Sequence, residues 1–222
     1  MKLLTTLTVL TLACGSAFGA VLLSESFEGY TAYSGYYIDT GDETLDHDLV
    51  NNVDQPIVDL DYADAWYYNT RDDVGLTDGD YCGVTNYAGT VGSWVDGAQG
   101  YQMSDTDGAM TLTFDVVSGA THCSFWVFIQ ETGWETSPAD VIKITYGSTV
   151  FLDTTGQDID DLLIEGAWMY FGGPIDGSGQ LTFYFDSNSG SEAMFIDNVL
   201  IADTGAIANE DATWGQVKNL FK

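Results

Sequence analysis

Positive charge is the scarcest property of this sequence. Five Lys and Arg stand against 34 Asp and Glu, a formal net charge of −29 over 222 residues. Between Val21 and Ala208 the only cationic side chains are Arg71 and Lys143. Recognition of a phosphate backbone needs clustered cations, so nucleic-acid binding is excluded, and so is attachment to an anionic membrane surface. Long apolar runs are missing too. Beyond the N-terminus none approaches the roughly 18–20 residues that span a bilayer, so no membrane insertion is expected. Cysteine is sparse: apart from Cys14 there are two, Cys82 and Cys123. His47 and His122 stand at no ligand spacing to them, which argues against zinc. Neither a Gly-x-Ser-x-Gly elbow nor a phosphate loop occurs.

What is present begins with Lys2, an apolar run from Leu3 to Ala13, and Ala17-Phe-Gly19 ahead of Ala20. This reads as a secretory signal over residues 1–19. Cys14 leaves lipoprotein processing as the alternative. The product is expected to be secreted or extracellular, where a calcium-containing or salty medium screens the self-repulsion of so many acids. In an oxidising exterior Cys82 and Cys123 can form one disulfide, although spacing alone does not place them within reach.

Residues 20–202 are organised by alternation. Met110, Leu112, Phe114 and Val116 share one face, with Thr111, Thr113 and Asp115 opposite. Cys123–Ile129 is apolar on both faces and reads as a central strand. Val141–Tyr146 and Thr149–Leu152 flank Gly147-Ser148, a hairpin signal. Ala167–Phe171, Leu181–Phe185 and Phe195–Ile201 follow, for about ten short strands and no helical periodicity before residue 205. The series predicts an all-β fold, a single β-sandwich. Pairing of the first strand with the last, through long crossovers, favours a jelly roll. Residues 203–222 read as a polar linker and an amphipathic tail carrying Trp214, Val217 and Phe221. The tail is either a frayed terminus or a device for sorting or cell-surface attachment.

The last strand candidate, Glu192–Ala202, is apolar on both faces if its side chains alternate. Met194, Ile196 and Leu200 would share one face, and Phe195, Asp197, Val199 and Ile201 the other. A carboxylate among aliphatic neighbours needs compensation. With cations almost absent, a hard divalent ion shared with Glu28 is the expected compensator, Ca²⁺ being held by six to eight oxygens. Asp39, Asp42 and Glu43 are candidates to complete the shell.

Two patterns then suggest a family. Ser26-Phe-Glu-Gly29 and Phe195-Ile-Asp-Asn-Val-Leu200 resemble the first-strand and last-strand bookends of bacterial secreted jelly-roll modules, lectin-like, adhesin-like and carbohydrate-binding. The resemblance implies a buried structural calcium with Glu28 and Asp197 among its ligands. Asn198 departs from the second aspartate of many relatives, which leaves the ligand set open. It also implies binding of a polysaccharide or other glycan.

Sugar recognition uses flat rings against the apolar face of a pyranose, with amides and carboxylates nearby for the hydroxyls. Trp94 and Trp134, flanked by Gly, Ser, Asp, Thr and Glu, are the leading candidates, followed by Trp66 and Tyr68. Catalysis has less behind it. Glu131-Thr-Gly-Trp-Glu135 lacks the Glu-x-Asp-x-x-Glu pattern of the laminarinase-like jelly-roll hydrolases, so no enzyme activity is expected. The expectation is a secreted, calcium-stabilised module that binds carbohydrate or acts as an adhesin. The alternatives are a structural matrix protein without a small ligand and a diverged hydrolase.

Overall fold

The computed structural model describes residues 20–39, 45–71, 75–77, 79–135 and 140–203. The expected signal segment, Asp42, Glu43 and the tail beyond Asp203 lie outside the described residues.

Twelve strands lie among the described residues: β1 (Val21–Glu25), β2 (His47–Asp48), β3 (Ala63–Tyr68), β4 (Tyr81–Thr85), β5 (Gly100–Ser104), β6 (Gly108–Phe114), β7 (His122–Ile129), β8 (Val141–Tyr146), β9 (Thr149–Asp153), β10 (Trp168–Pro174), β11 (Leu181–Ser187) and β12 (Ala193–Ala202). One 3₁₀ turn, Asp160–Leu162, interrupts the series. The strands form two six-stranded antiparallel sheets. The first runs β10-β7-β12-β5-β4 with β1 beside β12, and the second runs β2-β3-β6-β11-β8-β9. After β5, apart from the β8–β9 hairpin, each strand lies in the other sheet from the one before it. The result is a β-sandwich of jelly-roll type, and its first strand does pair with its last, Ser24 opposite Leu200.

Period-two alternation fills the space between the sheets. Met110, Leu112 and Phe114 of β6 and Leu181, Phe183 and Phe185 of β11 face Cys123, Phe125, Val127 and Ile129 of β7. Phe125 meets Phe183 edge-on at 5.0 Å between ring centroids, a favoured geometry for ring pairs.

Two expectations fail here for local reasons. In β12 simple alternation breaks at a β-bulge between Asp197 and Leu200, where Asn198 adopts a left-handed φ of 49°. One extra residue shifts the alternation, so Val199 and Ile201 join Met194 and Ile196 in the core and Leu200 turns outward. The expected disulfide is also absent: Cys82 and Cys123 are buried free thiols. Two strands, β12 and β5, separate β7 from β4. At ~4.8 Å per strand that separates the cysteines by at least about 14 Å across the sheet. The register adds six residues along β7, Cys82 lying in line with Ile129. Together these put the pair far beyond the roughly 7 Å a disulfide spans between Cα atoms.

Candidate functional site

Glu28 and Asp197 do converge, on a shared segment of backbone. Oδ2 of Asp197 accepts hydrogen bonds from the amides of Val95 and Asp96 at 2.7 and 2.9 Å, and Oδ1 accepts one from Asn198 at 2.7 Å. Oε1 of Glu28 accepts from Ala98 and Gln99 at 2.6 and 2.9 Å. The Gln99 side chain clamps the same corner by donating to the carbonyls of Phe27 and Tyr30. Phe27 is held there at φ 62°, strained for a bulky residue. Burial pushes the Asp197 carboxyl up to about 6; the three amides oppose the rise and the Asp96 charge adds to it. Main-chain dipoles thus compensate both acids. Both Asp197 oxygens and Oε1 of Glu28 accept amide hydrogens, which offsets part of each charge from the backbone itself. Asp39 is elsewhere, 2.6 Å from His47 Nε2.

Among the described residues, two other acid groups have oxygens within 4.8 Å of one another: Asp80, Asp105 and Asp107, and Glu135, Asp140 and Glu192. Proximity of acids does not by itself make an ion site. In the second group Asp140 is tied to the Arg71 guanidinium at 2.5 Å. Burial, the Asp140 charge and Glu135 raise the Glu192 carboxyl to about 8, against the pull of the Asn188 amide.

The two leading tryptophans are not surface rings. Trp134 is 4% exposed, lies edge-on to Phe185 and donates from its indole nitrogen to Glu165 at 2.9 Å and to the Gln130 carbonyl at 3.2 Å. Trp94 is 8% exposed, because its loop folds back over the outer face of the first sheet onto Trp168 and Phe195. Both are packing residues.

Trp66 and Tyr68 are partly exposed. They alternate along β3 with buried Ala65 and Tyr67 and stand half-buried on the outer face of the second sheet, with ring centroids 6.1 Å apart. Strand register extends that face into a row crossing the whole sheet: Asp48, Trp66, Thr111, Tyr184, Lys143 and Asp153. A parallel row carries Asp64, Thr113, Thr182 and Thr145, and a third brings Tyr68, Ala109 and Asp186 into line. Trp66 and Tyr184 are therefore two strands apart, about 10 Å at the usual spacing, with only threonine between them. Thr111 itself is buried, at 7% exposure. Lys143 is engaged by Asp153 at 3.0 Å, and Arg71 holds Asp186 at 2.9 Å. Burial and then Asp186 push the Tyr184 hydroxyl up to about 12, so it remains a hydrogen-bond donor. Tyr184 was legible in Leu181–Phe185, where it alternates with buried Leu and Phe.

Neither the scan of family models nor the search of curated proteins gives a match. Solved structures do. The K2 cleaved adhesin domain of Lys-gingipain matches at TM-score 0.42 and 13% identity, over 70% of this chain and 98% of that one. The xylan-binding domain of Paenibacillus barcinonensis Xyn10C matches at TM-score 0.33 and 14% identity, over 83% and 94%. A CBM51 module from Clostridium perfringens, solved with methyl-galactose, matches at TM-score 0.32 and 13% identity, over 48% and 72%. Likeness at this level does not transfer a ligand.

Proposed function

We propose that this chain is a secreted glycan-binding protein whose ligand lies along the outer face of the second sheet, across β3, β6 and β11. The observation that carries the reading is the Trp66–Thr111–Tyr184 row with Tyr68 beside Trp66. These are large, partly exposed rings on the outer face of a chain that buries most of its others. Rings supply flat apolar contact for pyranoses, and the threonines, Tyr184 and Asp64 supply hydroxyl partners. The basic side chains near the row are held by Asp153 and Asp186, which favours a neutral glycan over a sulfated or uronic one. The spacing of the rings suits an oligosaccharide more than a single sugar. The leader-like residues 1–19 support a secreted setting.

Affinity electrophoresis through gels containing xylan, mannan, β-glucan or galactan tests this. Retardation by at least one polymer is expected, and is lost in Trp66→Ala and Tyr184→Ala. No retardation by any of them, or equal retardation of both variants, would overturn the reading. One observation favours a hydrolase instead: a buried carboxyl raised to about 8, Glu192, lies beside exposed Glu135, an arrangement found in acid–base pairs. Release of reducing ends that disappears in Glu135→Gln and Glu192→Gln would establish that alternative.

A further inference from the structure

A second concavity lies on the other sheet, away from the row just described. It encloses about 650 Å³ at the β4–β5 edge of the first sheet, between the segment after β1, the loop leaving β4 and the turn after β5. The volume falls in the range of small-molecule sites. Its lining includes Tyr36, Tyr87, Asn86, Gln102, Ser104 and Asp105. Tyr36 and Tyr87 are 62% and 57% exposed, unusual for rings in this chain. The floor is fixed: the Tyr81 hydroxyl donates to the carbonyls of Tyr33 and Val84 at 2.6 and 2.9 Å, and the Gln102 amide donates to Ser104 at 3.0 Å. In its lining Asp105 adopts left-handed backbone, φ 54°. Such conformations concentrate where a loop is shaped for a task.

We infer that this cavity is a binding site for a single neutral polyhydroxylated ring, such as the end of a glycan chain. Two amide side chains and several hydroxyls give paired donors and acceptors, and two tyrosine rings offer flat apolar contact. No Lys or Arg is among the described residues that line the cavity, so an anionic sugar or a phosphate would meet the Asp105 carboxylate with no lining cation to hold it. The site shares its ligand class with the sheet-face reading but none of its residues, so each stands without the other.

The test is a titration of the ¹⁵N-labelled protein with the methyl glycosides of glucose, galactose, mannose and xylose, and with glucuronate as the anionic control. Saturable shifts of the Asn86 and Gln102 side-chain amides are expected with at least one neutral glycoside and not with glucuronate. The Tyr36→Ala/Tyr87→Ala double variant should weaken binding about tenfold or more, and Gln102→Leu should weaken it too. Trp66→Ala/Tyr184→Ala should leave it unchanged. The exposed tyrosines are surface positions, and an unaltered melting curve checks that these variants fold. Absence of shifts with all four glycosides would overturn the inference. So would equal affinity in the tyrosine double variant, equal binding of glucuronate, or loss of binding in the sheet-face variant.

Discussion

Glu28 and Asp197, from opposite ends of the described chain, are bonded to one five-residue segment: Asp197 to the amides of Val95 and Asp96, Glu28 to those of Ala98 and Gln99. The segment joins the two acids that the sequence suggested as partners. Asp197→Asn keeps the shape but exchanges one acceptor oxygen for a donor that faces amide hydrogens. It should destabilise by about 1–3 kcal/mol, the range for leaving buried groups unsatisfied. Glu28→Gln, at an exposed position, should cost less. Chelation should leave the melting temperature of the wild type unchanged. A fall on adding chelator that Ca²⁺ restores would show that an ion binds the native state after all.

The pH dependence follows from which state holds its protons longer. Asp197 rises from an ordinary 3.8 to about 6, and Glu192 from 4.5 to about 8. The folded chain therefore binds more protons than the unfolded chain across this interval, and stability falls as pH rises. The contribution of Asp197 is full below about pH 4 and lost through pH 6, and that of Glu192 is lost between about pH 4.5 and 8. Urea midpoints from pH 4.5 to 9 should decline, and Glu192→Gln should flatten the upper half of the decline. A midpoint that climbs over the same range would contradict both assignments.

Arg71 works at the centre of this acid-rich region. Its guanidinium reaches Asp140 at 2.5 Å and Asp186 at 2.9 Å, with little of any of the three side chains exposed. Removing one partner of a buried pair strands the remaining charge, so Arg71→Met should destabilise by about 3–5 kcal/mol. Arg71→Lys should recover only part of this, because a single ammonium cannot present the two-sided fork. Equilibrium urea unfolding at pH 7 checks both, and equal stability of Arg71→Met and wild type would show that the pair is energetically idle.

How far the sequence reached depended on whether the physics was local. Strand positions were readable because alternation is a property of neighbouring residues: β8 starts and ends where Val141–Tyr146 does, and β9 extends Thr149–Leu152 by one residue. The face assignment of β12 was not, because one left-handed residue, Asn198, reverses everything after it. Trp94 and Trp134 looked exposed because their sequence neighbours are polar. Each is covered by residues distant in the chain, Phe195 for one and Phe185 for the other. Trp66 and Tyr68 stay partly exposed because they alternate along β3 with Ala65 and Tyr67, which take the core side. Compensation of Asp197 was sought in a side chain or an ion, since sequence shows those and does not show where backbone amides will point.

Gly100 tests the packing of Trp94 directly. A methyl group added there would collide with the Trp94 ring and would lie 2.6 Å from the carbonyl oxygen of Ile196. Ile196 belongs to an inner strand whose backbone cannot withdraw, so the ring must move, and moving it uncovers Phe195 and Trp168. Overpacking of this kind costs about 1–3 kcal/mol. Gly100→Ala should therefore lower the urea midpoint and red-shift the tryptophan emission of the native protein. Gly133→Ala is the control, since nothing lies within 4 Å of its added methyl, and it should leave both readouts unchanged. A Gly100→Ala protein with native emission and wild-type stability would mean that the Trp94 loop does not rest on the first sheet as described.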